Sequence, residues 1–178
     1  MIFVTVGSAD PFDRMISAVD EWAGSRGRCD VFAQVGKSNY KPRFIETVQF
    51  LTPKDFKCHI NGAKLIVAHA GIGSIVAALE VGTPIIIMPK WARLGEHRNE
   101  HQVATARYFS GRTGITVADD GEDLKRKLDQ SDALQRPAPI AKIAAPELLE
   151  AIKSFINSDE VPAREKRPGL WSLWTKLG

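Results

Sequence analysis

Short β-branched runs that stop at a glycine or proline and give way to helix-periodic stretches recur along this chain of 178 residues. That alternation constrains the fold more than any other feature. A strand followed by a helix must cross back before the next strand begins, which makes the strands parallel and covers the sheet on both faces. The first unit is Ile2-Phe3-Val4-Thr5-Val6, ended by Gly7-Ser8, after which Pro11 opens a stretch with Met15, Ile16, Val19 and Trp22 along one helical face. Asp30–Val35 reads as a strand stopped at Gly36, and Thr47–Leu51 as another, followed at Pro53 by a short helix. Ala63–Ala68 runs into His69-Ala70-Gly71-Ile72-Gly73-Ser74 and then a helix over Ile75–Val81, which Gly82 and Pro84 end. Pro84–Pro89 is apolar throughout its middle, as a strand covered on both faces must be. Asn99–Phe109 reads as helix, Gly114–Val117 as strand and Glu122–Leu128 as a short helix. The expected fold is α/β, a Rossmann-like parallel sheet with helices on both faces. Residues 131–145, with Pro137 and Pro139, read as a loose connection, and Pro146 opens a last helix with Leu148, Leu149, Ile152 and Phe155 on one face.

A chain of this length with 44% hydrophobic and 25% charged residues supports one well-cored domain, expected over residues 1–158, with a tail over 159–178. The formal charge of +3 is concentrated from Arg164 onward, so it favours an anionic surface only locally and argues against nucleic acid as a partner. Cys29 and Cys58 are far apart and lack metal or redox spacing, and neither a signal peptide nor an apolar run of spanning length is legible. A reduced, cytoplasmic protein is expected, with membrane association only peripheral or through a partner.

In parallel sheets of this kind ligands bind beyond the carboxyl ends of the strands. The loop after Val67 is the strongest candidate. Gly71 and Gly73 remove side chains where a phosphate approaches the backbone, and the helix beginning near Ser74 offers unpaired N–H groups and a positive dipole end. His69 offers a hydrogen bond or a positive charge to a diphosphate; the Ser74 hydroxyl suits either the same phosphate or a helix cap. A tight turn with a strand-end histidine and a capping serine explains the same residues, and the loop alone does not separate the two.

The second feature, Gly95-Glu96-His97-Arg98-Asn99-Glu100-His101-Gln102, opens a helix over the same sheet edge. Glu96, Asn99 and Gln102 are spaced by three, which on a helix start projects them together toward sugar hydroxyls. The segment also matches the H-x-x-E-H zinc signature through His97 and His101, the basis of a competing zinc-dependent hydrolase. That reading conflicts with a Rossmann-like fold, lacks a further ligand and leaves the glycine loop without a role. A solvated helix start is the plainest account.

The run His69–Ser74, continued through Gly82-Thr83-Pro84, Pro89 and Glu96–Gln102, resembles the C-terminal domain of family 28 glycosyltransferases. More closely it resembles the PssE-like donor-binding subunits of bacterial exopolysaccharide (glucuronosyl)transferases. These are relatives of the eukaryotic subunit that adds the second N-acetylglucosamine to dolichol-linked oligosaccharide. Val4-Thr5-Val6-Gly7 and Pro11-Phe12-Asp13 also resemble the start of those proteins, and the likeness covers residues 1 to about 130. It implies the C-terminal half of a GT-B transferase, paired with a membrane-anchored, acceptor-binding subunit at the inner face of the cell membrane. His69, Gly71, Gly73 and Ser74 would then face the diphosphate, Gly7 and Ser8 would approach the phosphates or the acceptor side, and Asn99 and Gln102 would lie near the donor sugar. The acidic ribose-binding residue of the wider pattern falls at Ala77, with Glu80 one turn on as its substitute.

The resemblance implies inverting transfer from a UDP-sugar, with UDP-glucuronic acid the first expectation, to a polyprenyl-diphosphate-linked acceptor. Neither cofactor nor metal is expected: the sequence has no Asp-x-Asp motif, and a helix N-terminus with His69 would stabilise the leaving diphosphate. His97, Glu96 and Asp13, with Asp10 beside them, are the local candidates for a general base, which the acceptor half can also supply. A subunit that binds or activates without catalysing is the alternative. Arg164, Lys166 and Arg167 followed by Leu170, Trp171, Leu173, Trp174 and Leu177 suit a membrane surface, a partner groove, or docking on the domain itself.

Overall fold

The computed structural model describes residues 1–7 and 10–140. In chain order the elements are β1 (Ile2–Thr5), α1 (Asp13–Ser25), β2 (Val31–Gln34), β3 (Glu46–Val48), α2 (Pro53–Gly62), β4 (Leu65–His69), α3 (Ile72–Glu80), β5 (Ile85–Met88), α4 (His101–Phe109), β6 (Ile115–Val117) and α5 (Gly121–Asp129). The strands form one six-stranded sheet in the order β3-β2-β1-β4-β5-β6, parallel at every pairing. This is the Rossmann-like α/β fold. The chain winds outward from β1 through β3, returns to β4 beside β1, and winds outward the other way. The order therefore reverses between β1 and β4, and a crevice opens at their carboxyl ends.

Period-two alternation along the strands divides the core into two layers. Val4, Val67, Ile86 and Met88 point toward α1 and α5, where they pack with Met15, Ile16, Val19, Trp22, Leu124 and Leu128. Phe3, Ile66, Ile85 and Ile87 point the other way and meet Ile60 of α2, Ile75 and Ala78 of α3 and Ala106 of α4. The all-apolar β5 supplies both layers, which is why its sequence shows no polar face.

Helix starts differ in a way that matters for the site. The Thr52 side chain accepts from Asp55 N ahead of Pro53, and Asp120 accepts from Asp123 N, so α2 and α5 are capped. At α3 the N-cap is Gly71 and no side chain caps the helix. The helix begins at Ile72 rather than Ile75. In contrast, α4 begins at His101, two residues later than expected from Asn99.

The stretch read as a loose connection is anchored as far as Ile140. Ile140 N donates to Leu79 O at 3.1 Å, and a Cβ on Gly114 would stand 2.5 Å from Pro137. These contacts lie before β6 and in the last turn of α3, at the end of the sheet opposite the crevice. The helix expected from Pro146, the boundary at 158/159, the 159–178 tail and Ser8 lie outside the described residues.

Candidate functional site

The crevice between β1 and β4 is organised around one imidazole. His69 ends β4, and Gly7, with φ +80°, follows β1. A Cβ on Gly7 would lie 2.8 Å from the His69 ring, and one on Gly71 only 2.2 Å from its Nε2. The ring is thus held between two backbones that only glycine allows so close, and Gly7 also needs its left-handed φ. Gln34, at the end of β2, fixes the neighbouring strand end. Its Oε1 accepts from Thr5 Oγ1 at 2.5 Å and its Nε2 donates to Gly7 O at 3.3 Å.

Beside the ring lies a cleft of about 480 Å³, lined on one side by Thr5, Gly7, Gln34, His69, Gly73 and Ser74 and on the other by Leu51, Pro53 and Phe56. Its volume suits a small organic ligand. The polar wall contains the start of α3. Ser74 N and Ile75 N donate to Gly71 O at 3.1 and 3.2 Å, while the amides of Ile72 and Gly73 precede the first intrahelical bond and remain available. Uncapped amides at the positive end of a helix favour an anion. Ser74 is the third helical residue and buried, so capping, one of its two expected roles, falls away.

Burial, reinforced by the nearby Lys90 charge and more weakly by His97, lowers the His69 pKa to about 4 against the opposing effect of the Thr5 backbone. The imidazole is neutral at pH 7 in the ligand-free protein, so the expected positive charge is absent and a hydrogen bond is what it offers. Its buried Nδ1 has no partner in good hydrogen-bond geometry, so the Thr5 backbone satisfies the ring only weakly.

The 95–102 segment does not have the geometry expected of it. Residues 96–100 form bends ahead of α4, so the three-residue spacing of Glu96, Asn99 and Gln102 is not helical and does not gather them on one face. Both Glu96 oxygens bond Arg14, at 2.8 Å each, and Oε2 also accepts from Trp91 N at 2.9 Å. Gln102 is buried with Oε1 accepting from Lys90 N at 3.2 Å, and Asn99 Oδ1 accepts from His101 N at 3.2 Å. The first two brace the loop after β5, and Asn99 remains exposed.

The same bends remove the paired-histidine face of the zinc signature. His97 Nδ1 lies 3.1 Å from Asn99 O, and no group of three metal-ligating side chains occurs among the described residues. Asp13 is also committed, accepting from Ser38 Oγ at 2.5 Å and Asn39 N at 3.1 Å. Glu80 ends α3, about 12 Å along the axis from the cleft end by helical rise, and does not line the cleft.

Of the expected donor-site residues, the structure therefore gathers Gly7, His69, Gly71, Gly73 and Ser74. It adds Thr5, Gln34, Leu51, Pro53 and Phe56 to the cleft lining, with the charge of Lys90 felt at His69; sequence reasoning missed all six. Gln34 and Lys90 carried a signal: each is a polar residue at or just beyond the end of an otherwise apolar strand, where parallel sheets place ligands.

Human UDP-N-acetylglucosamine transferase subunit ALG13 is 30% identical over 109 residues, 56% of this chain and 10% of that protein. The chain thus spans about a tenth of the curated relative's length. The NMR solution structure of ALG13 matches with TM-score 0.56 at 17% identity, over 85% of this chain and 93% of that one. Os79 from O. sativa in complex with UDP matches with TM-score 0.56 at 16% identity, over 74% of this chain and 31% of that one. At such identities the likeness is one of fold, the C-terminal half of GT-B glycosyltransferases. The profile of the glycosyltransferase family 28 C-terminal domain matches residues 1–154, through both the His69 loop and the segment after β5, and the chain belongs to that family.

Proposed function

We propose that this chain is the donor-binding subunit of an inverting, metal-independent glycosyltransferase. It would transfer a sugar, glucuronic acid first, from a UDP-sugar to a polyprenyl-diphosphate-linked acceptor in exopolysaccharide synthesis, together with a membrane-anchored partner. The carrying observation is the junction of β4 and α3, where a buried imidazole nitrogen without a well-aligned hydrogen-bond partner, two free amides and a side-chain-free backbone meet at the topological switch point. The diphosphate would lie against the Ile72 and Gly73 amides with His69 donating a hydrogen bond, and the apolar wall of Leu51, Pro53 and Phe56 suits the flat face of a uracil. In the reaction the acceptor oxygen forms a bond to the anomeric carbon as the carbon–oxygen bond to the diphosphate breaks. The electron pair leaves with UDP, where the helix end stabilises it, and the acceptor proton passes to a base.

One observation supports a second reading, a subunit that binds donor without supplying catalytic groups. Asp13 and Glu96 are both held in structural hydrogen bonds, which favours a base supplied by the partner; His97 acting as the base would instead make this chain catalytic. Calorimetric titration with UDP and a panel of UDP-sugars, with and without EDTA, tests the donor site. Binding that survives EDTA and weakens at least tenfold in His69→Ala is expected; absence of UDP binding even with the partner refutes it. In turnover assays with the partner, Asn99→Ala lowers kcat if the sugar is held here and leaves it unchanged if the subunit only binds nucleotide.

A further inference from the structure

Lys90 is the only buried cationic side chain among the described residues, at 2% exposure. Buried charges are ordinarily paired with an opposite charge. Lys90 has only neutral partners: Nζ donates to Asp10 O at 2.5 Å and lies 5.5 Å from the Phe12 ring centroid. Glu96, on the same loop, has both oxygens on Arg14. No carboxylate makes an ion pair with Lys90 among the described residues, and two of its three donors are left without a protein acceptor there.

Its course through the fold points to the missing partner. Lys90 follows β5 and Asp10 follows β1, while β4 lies between those strands. To reach Asp10 the side chain must therefore cross the carboxyl end of β4, where His69 stands, and its charge is felt there. The backbone of Lys90 is fixed as well, since Gln102 accepts from its N–H. A fixed positive charge that no carboxylate contacts directly, although Asp10 and Glu96 act on it through space, thus lies within electrostatic reach of His69.

We propose that Lys90 is the counter-charge and positioning residue for the diphosphate of the donor, which rests on the donor-site reading above. Its ammonium favours the diphosphate on binding, and does so more as the glycosidic carbon–oxygen bond breaks and the electron pair adds negative charge to the departing phosphate. A buried charge acts at this range because the low-dielectric interior screens it weakly. It also explains how His69 stays neutral beside an anion site: the site's positive charge is carried by the lysine.

The test compares UMP, UDP, UDP-glucose and UDP-glucuronate by calorimetry on the full chain, as wild type and as Lys90→Met, with thermal melting of each ligand-free protein. The expected result is at least tenfold loss of UDP affinity with a loss of threefold or less for UMP, so that the wild-type preference for UDP collapses. Ligand-free Lys90→Met should melt no lower than wild type, because an unpaired buried charge is removed. Lys90→Gln, which keeps a donor toward Asp10, carries the same comparison if the methionine variant does not fold. Equal losses for UMP and UDP accompanied by a lower melting temperature would make Lys90 a structural brace and overturn the proposal. So would a loss confined to UDP-glucuronate, which would assign the lysine to a sugar carboxylate. If wild type itself binds none of the four, the donor-site reading fails and this proposal falls with it.

Discussion

Replacing Gly73 with alanine should move stability and ligand affinity in opposite directions. Gly73 is the second residue of α3, lines the cleft, and a Cβ built there meets nothing within 4 Å. Its φ is not in the left-handed region, so alanine adds neither steric nor backbone strain. Glycine in a helix interior costs about 0.8–1 kcal/mol relative to alanine, and roughly half of that applies in a first turn. For a domain of this size a gain of about 0.5 kcal/mol raises Tm by about 1–2 °C. The same methyl projects into the space over the Ile72 and Gly73 amides. Displacing a diphosphate from one charge-assisted hydrogen bond costs about 1.5–3 kcal/mol, a loss of about tenfold or more in affinity. Differential scanning fluorimetry and UDP titration on the same preparation read both terms. A higher Tm with unchanged UDP affinity would refute the placement of the diphosphate on α3.

Three further outcomes follow from particular groups. Because the folded His69 pKa is about 4 against an ordinary 6.5, the unfolded chain binds a proton in that interval that the folded chain does not. Its contribution to stability is full above about pH 6.5 and is lost as pH falls toward 4, and His69→Gln should flatten that limb of a Tm–pH profile; a limb unchanged in the variant places the titration elsewhere. Glu96→Gln breaks a part-buried bidentate pair with Arg14 and should cost about 1–3 kcal/mol in denaturant melts with less than tenfold change in UDP affinity; a larger affinity loss would return Glu96 to the ligand. Asp20, fully buried, accepts from Tyr40 Oη and from the amides of Arg43 and Phe44, so Asp20→Ala should destabilise by about 2–4 kcal/mol while the folded fraction binds UDP normally.

The sheet was legible because its signal is local. Each strand is an apolar run ended by a punctuating residue, and the all-apolar Ile85–Met88 could only be a strand covered on both faces. The glycine loop was legible for the same reason: Gly71 and Gly73 are adjacent to the helix start they serve. The 95–102 segment does not form the expected helix start, and its Glu96 is answered from far away in sequence. Arg14, on α1, turns Glu96 from a candidate sugar ligand into half of an ion pair, and no spacing rule within an octet contains that information. Gln34 was missed for the converse reason. Read along β2 it is the polar end of a strand, and only the β1–β2 register, with Thr5 opposite Gln34, brings it to the crevice.

These cases share a physical cause that bears on how the site works. Backbone features such as an uncapped helix or a left-handed glycine are set by a few consecutive residues. Charges are instead satisfied across the sheet, since the carboxyl ends of β1, β4 and β5 converge on a region one side chain wide. There Arg14 is neutralised by Glu96, while Lys90 has only a carbonyl and a ring as direct partners. His69, squeezed between the backbones of Gly7 and Gly71, remains neutral chiefly because it is buried, and the lysine charge reinforces this. The crevice thus combines a fixed positive charge, a neutral imidazole and free amides, chemistry that favours an anion.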